Sequence, residues 1–159
     1  MANYTAAEIR DLREKTGAGM MDVKRALDEA DGNVEKALEI IRVKGLKGIA
    51  KRECRAASEG LVAADIRGEN GQQVGTLLEV NCETDFVAKN QKFIDFADSV
   101  LAAAVSSGAQ DVDALLAAPS EDGTVKVSID NIAAAIGEKI EVRRVARLSG
   151  EKVESYAHR

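Results

Sequence analysis

The chain has 159 residues, 45% hydrophobic and 31% charged, with a net charge of −5. That length fits one medium domain or two small ones, and that balance supports a buried core under a polar surface, which excludes a disordered segment. Residues 60–135 carry 4 Lys and Arg against 12 Asp and Glu, so the middle of the chain is acidic and direct nucleic-acid binding is not expected.

In chain order, Thr5 to Glu8 gives T-x-x-E, a capping box whose side chains satisfy early amide donors of a first helix. That helix turns Ile9 and Leu12 inward and ends near Thr16. Gly17-Ala18-Gly19 breaks the chain, after which Val23, Ala26, Leu27 and Ala30 mark one face of a second helix. Asn33 is placed as the N-cap of a third, in which Val34, Ala37, Leu38 and Ile41 repeat the spacing. Residues 1–44 are therefore expected to form a three-helix bundle, similar to ubiquitin-associated modules. A bundle that small buries little surface and is expected to lean on a neighbouring domain or a partner.

Residues 45–59 read as a basic, partly helical connector interrupted by Gly45 and Gly48. The basic run Arg42, Lys44, Lys47, Lys51, Arg52 and Arg55 lacks interleaved aromatics and reads as solvated.

From Gly60 the period becomes that of strands. Leu61 to Ile66, the turn Asn70-Gly71, and Val74, Thr76, Leu78 and Val80 on one face predict a β-hairpin. Phe93, Phe96, Ala97, Val100, Leu101 and Ala104 predict a long helix covering the sheet. Thr84-Asp85 are placed as its cap, with Phe86 in its first turn. Phe86 lies seven residues before Phe93, so spacing favours an inward ring, with an outward knob as the other option. A shorter helix spans Asp111 to Ala118 and stops at Pro119. Ile129, Ile132, Ala133 and Ile136 mark another, ended by Gly137 in a left-handed cap. Ile140 to Leu148 and then Val153 to His158 are expected strands. Residues 60–159 thus predict an α+β domain with helices on one face of an antiparallel sheet.

Catalytic and ligand signatures are sparse. The only histidine is His158, Cys82 continues an apolar strand alternation, and neither cysteine sits in a metal-ligating spacing. A Cys82–His158 nucleophilic pair is one reading; a core cysteine is the plainer one. Gly17-Ala18-Gly19 lacks the further glycine of a dinucleotide fingerprint, and no G-x-x-x-x-G-K-[ST] occurs. No enzyme activity, metal or cofactor is expected. No apolar run approaches the roughly 18 residues that cross a bilayer, and the N-terminus has no apolar signal core, so a cytosolic protein with reduced thiols and no membrane partner is expected.

The segment Glu79-Val80-Asn81-Cys82-Glu83-Thr84-Asp85-Phe86-Val87-Ala88-Lys89-Asn90 resembles the signature of the elongation factor Ts family. Leu12 to Lys24, reading LREKTGAGMMDVK, resembles that family's N-terminal signature. Ile136 to Ile140, Arg143 to Ala146, and Tyr156-Ala157-His158 match further on, in family order. The resemblance implies a factor that drives guanine-nucleotide exchange on elongation factor Tu, binding its GDP-bound and nucleotide-free forms. It implies that the helical bundle docks on the GTPase domain through Leu12, Thr16, Gly17, Met20 and Lys24. It further implies that Asp85 and Phe86, flanked by Thr84 and Val87, intrude near the magnesium and phosphate site, and that Ile136, Gly137 and His158 join the contact. Under the resemblance Phe86 points outward, against the spacing.

Family members generally continue past the position of His158, so the chain reads as a fragment, a truncated form or a short variant, with its last strand an open edge. The competing reading is a generic adaptor that binds another protein through the ubiquitin-associated-like bundle; the D-F-V segment separates the two, since an adaptor has no need of it.

Overall fold

The computed structural model describes residues 3–50 and 52–158, excluding the side chains of residues 46, 47, 49 and 50. Lys51 and the Lys47 side chain, both in the predicted basic run, therefore lie outside the described residues. Two compact units emerge: Met1–Arg55 with Asp130–Lys139, and Ala56–Ile129 with Ile140–Arg159.

In the first unit, α1 (Ala6–Thr16), α2 (Met20–Glu29) and α3 (Val34–Ala50) form the bundle. The capping box is present: the Thr5 amide donates to Glu8 Oε2 at 2.6 Å and the Glu8 amide to Thr5 Oγ1 at 3.3 Å, a device that contributes about 1 kcal/mol. The Thr5 amide, with the Thr5 hydroxyl donating to the same oxygen at 2.8 Å, holds the Glu8 carboxyl below the usual glutamate range. Gly17, at φ +68°, ends α1 with its amide on the Arg13 carbonyl at 2.8 Å. Asn33 Oδ1 accepts from the Lys36 amide at 2.9 Å, as the N-cap position predicts. Leu12, Val23, Ala26, Leu27, Ala30 and Ala37 form the core, with Tyr4, Ile9, Val34 and Ile41 packed against it.

Leu38 departs from expectation: it is 42% exposed although its spacing placed it inward. The buried stripe of α3 is narrow, with Ala37 at its centre, and Leu38 falls beyond its rim. The helix also runs past residue 44 without a break. Glycine inside a helix costs about 1 kcal/mol relative to alanine, but Gly45 permits close packing here, since a Cβ on it would stand 3.1 Å from Ala134 Cβ.

The second unit is built on β1 (Glu59–Glu69) and β2 (Gln72–Cys82), joined by Asn70 at φ +50° and Gly71 at φ +82°. Positive φ at both positions is what a two-residue hairpin turn with the right twist demands. β5 (Glu141–Gly150) pairs antiparallel with β2, giving the order β1-β2-β5. Val74, Thr76, Leu78 and Val80 are buried on the face covered by α5 (Gln91–Ser107), whose Phe93, Phe96, Ala97, Val100 and Ala104 are buried in turn. Leu101 is half-buried, at the margin of that stripe. Arg147 ties the layers together, with Nη2 2.6 Å from Glu69 Oε2 and Nη1 donating to the Val105 carbonyl at 3.5 Å. This is the α+β architecture that the period change predicts.

A bulge interrupts the β2–β5 register at Glu79/Val80: Glu79 pairs with Arg144 and Val80 with Val142. Arg143 is the extra residue, so both arginines reach one carboxylate, Arg144 Nε at 2.6 Å and Arg143 Nε at 3.9 Å from Glu79 oxygens. The Arg144 hydrogen bond leads in holding the Glu79 carboxyl below its ordinary value.

Three further expectations are corrected. Thr84 caps a separate one-turn helix, α4 (Asp85–Ala88), and not the long one; α5 has its own cap in Asn90, whose extended backbone breaks the two apart. Val153 to His158 form no strand: Val153 lies against Gly75 of β2 and its amide donates to the Gln73 side chain at 2.7 Å, in place of a backbone ladder. The last helix, α7 (Val125–Ile136), begins four residues earlier than its apolar spacing suggests. It follows α6 (Val112–Ala117) and a two-residue ladder of β3 (Pro119–Ser120) with β4 (Gly123–Thr124), which no periodicity announced.

Candidate functional site

The residues singled out from the sequence fall into two groups, one on each unit. In the first unit, α1 ends in the Gly17-Ala18-Gly19 turn and α2 begins with Met20 and Met21, which are 57% and 58% exposed. Thr16 is half-buried and braces the turn, donating its hydroxyl to the Leu12 carbonyl at 2.5 Å and accepting the Ala18 amide at 3.2 Å. Lys24, one turn after Met20, is exposed. Leu12 is different, for it is buried in the bundle core at 1% exposure and supports the surface from beneath. Residues 130–139 belong to this unit too, and Gly17 lies against Ala135, one residue before the half-buried Ile136. Gly137 ends α7 at φ +86°, its amide on the Ala133 carbonyl at 2.9 Å, as the left-handed cap predicts. Lys139 holds the return of the chain by donating to the carbonyls of Glu53 at 3.1 Å and Arg55 at 3.2 Å. The fold thus brings Thr16, Gly17, Ile136 and Gly137 into one neighbourhood.

In the second unit, the candidate residues gather on the α4 turn. Thr84 Oγ1 accepts the Val87 amide at 3.4 Å, the Thr84 carbonyl accepts the Ala88 amide at 3.1 Å, and Lys89 Nζ stands 2.8 Å from Asp85 Oδ2. That hydrogen bond from Lys89, with the ammonium charge behind it, lowers the Asp85 carboxyl below the usual aspartate range. None of the four helical residues is buried; Val87 is half-buried against the strands. Phe86 is 83% exposed, which overturns the inward placement that spacing favoured. The spacing argument failed because Phe86 and Phe93 sit on different helices. A cap residue at Asn90, directly before the apolar run, was the sequence signal for that break. The Asp85–Lys89 pair was also missed, although it has helical i, i+4 spacing.

His158 is exposed in the segment after β5 and stacks on Tyr156, with ring centroids 6.4 Å apart and planes 14° from parallel. Cys82 is fully buried and its thiol lies 3.2 Å from the Thr84 carbonyl, so the sulfur is engaged by backbone and shielded from solvent. Among the described residues no His/Cys/Asp/Glu group could hold a metal ion, and no helix is long and apolar enough to cross a membrane. The arrangement offers an exposed aromatic knob and two exposed methionines, which suit recognition of a protein surface.

Comparison with known proteins points one way. The family described as Elongation factor TS matches residues 83–159. Among curated relatives, elongation factor Ts of Beutenbergia cavernae is 63% identical over 161 residues, covering 100% of this chain and 57% of the relative. The proteins of the same name from Renibacterium salmoninarum and Micrococcus luteus are each 62% identical over 159 residues, covering 100% of this chain and 56% of the relative. The chain therefore spans a little over half the length of the curated relatives it matches.

Proposed function

This chain belongs to the elongation factor Ts family, and from that premise we propose that it promotes GDP release from elongation factor Tu during translation elongation in the cytoplasm. The helices of the first unit dock on the GTPase domain through the turn before α2, with Met20 and Lys24 outward. Asp85 and Phe86 intrude between helices of that domain and disturb its magnesium and phosphate site, and Ile136, Gly137 and His158 extend the contact. The chain binds no nucleotide and forms no covalent intermediate; it acts through binding energy alone.

The observation that carries this reading is Phe86, held 83% exposed on a capped one-turn helix. An aromatic ring seated in a partner pocket contributes on the order of 2 kcal/mol or more. It drives exchange only when that contact forms chiefly with the nucleotide-free partner, because a contact made equally to both states shifts no equilibrium. Linkage then requires GDP to weaken the factor by the same ratio by which the factor weakens GDP.

Release of labelled GDP from elongation factor Tu, timed with and without the chain in excess unlabelled GDP, tests the proposal. Acceleration is the expected result, and a rate equal to spontaneous release overturns it. Stable capture of a partner without acceleration would favour the adaptor reading.

A further inference from the structure

A four-residue helix has no stability of its own in water, since nucleation costs more than one or two hydrogen bonds return. In α4 burial offsets that cost only in part: Val87 and Ala88 are half-buried, none of the four residues is fully buried, and the largest side chain, Phe86, faces solvent. Bonds at the two ends of the turn add to that packing. At the C-terminal end Asn90 starts α5, accepting the Lys92 amide on Oδ1 at 2.9 Å. At the N-terminal end stands Cys82, the last residue of β2, fully buried, its thiol 3.2 Å from the carbonyl of the capping residue Thr84. That carbonyl also takes the first bond of the turn, from the Ala88 amide at 3.1 Å.

We propose that Cys82 is a positioning residue for Phe86: its buried thiol donates to the Thr84 carbonyl and so fixes the one-turn helix that presents the ring. The proposal rests on the exchange reading above. A carbonyl bonded by both the thiol and the Ala88 amide keeps its plane aligned with the helix, and Phe86 follows two residues later on a backbone already fixed. The strand-end side chain reaches a carbonyl two residues on without leaving the core. It also packs as a small apolar group among the buried side chains of β2.

Cys82→Ser and Cys82→Ala, each made in the whole chain, separate the hydrogen bond from the packing. Both shrink the side chain, but serine keeps a donor and alanine does not. In the free chain, hydrogen exchange at the amides of Val87 to Asn90 is expected to accelerate about fivefold in Cys82→Ala and to stay near wild type in Cys82→Ser, the size of one modest hydrogen bond. Stimulated GDP release should fall by a similar factor in the alanine variant only, with urea midpoints of the two variants alike. Wild-type protection in Cys82→Ala, or equal impairment of both variants, overturns the proposal. An unresponsive elongation factor Tu with the wild-type chain would overturn the exchange reading instead, and the amide protection would still decide whether the thiol anchors α4.

Discussion

Gly17 and Ala135 meet so closely that a Cβ built on Gly17 would stand 2.8 Å from the Ala135 Cβ, within one unit yet 118 positions apart in sequence. Two demands coincide at Gly17, a left-handed φ of +68° and a near neighbour. Gly137 has the first without the second: its φ is +86° with nothing within 4 Å.

These glycines should therefore respond differently to alanine. Gly137→Ala is expected to cost about 1 kcal/mol, from backbone strain alone. Gly17→Ala adds overpacking against Ala135, typically about 1–3 kcal/mol more. Urea midpoints of the two variants check this, and equal shifts would mean that the Ala135 contact yields freely.

Much of the fold is written locally. The Thr5–Glu8 box, the Asn33 cap, the Asn70-Gly71 turn and the alternation from Val74 to Val80 each depend on neighbours in sequence, and each stands where its pattern puts it. Long-range relations leave no such trace. Nothing in the apolar spacing of α7 indicates that its second half groups with residues 1–55, because that grouping rests on Gly17 against Ala135 and on Lys139 reaching the carbonyls of Glu53 and Arg55. For the candidate site, spacing favoured the wrong placement of Phe86, since continuous helical periodicity outweighed a single cap residue, Asn90. Only family likeness pointed outward.

The Asp85 carboxyl is predicted to titrate below an ordinary aspartate, because Lys89 donates to it. A folded value below the unfolded one means a contribution present above the unfolded value and lost as pH falls through the folded one. Protection of the α4 amides should accordingly weaken only in acid. Lys89→Gln should move the carboxyl back toward the ordinary aspartate value, readable by carbon NMR of the side chain; an unchanged titration would show the ion pair to be unformed in solution.

Leu12→Asp and Lys24→Glu, both within the docking signature, should fail for different reasons. Leu12 is 1% exposed in the bundle core, so a carboxylate there loses packing and buries a charge, and the helices of the first unit should melt. Lys24 is exposed, and its reversal should leave the circular dichroism spectrum and urea midpoint within about 0.5 kcal/mol of wild type. Weaker affinity for elongation factor Tu is expected from both. Full affinity in folded Lys24→Glu would remove that lysine from the interface.

Phe86→Ala bears most directly on the mechanism. A core phenylalanine truncated to alanine costs about 3–5 kcal/mol of folding free energy, but a ring 83% exposed in the free chain has little burial to lose. Its removal should therefore change stability by less than about 0.5 kcal/mol. In the complex the expectation reverses, with a loss of about 2 kcal/mol or more falling chiefly on nucleotide-free elongation factor Tu. Stimulated GDP release should slow roughly thirtyfold or more. Asp85→Ala should act in the same direction, through the loss of its ion pair with Lys89 and a looser α4, and the double variant should be less than additive because the two side chains share one turn. Urea melts run beside release kinetics decide the matter: a large fall in midpoint with unchanged exchange per folded molecule would make Phe86 a structural residue and sink the intrusion.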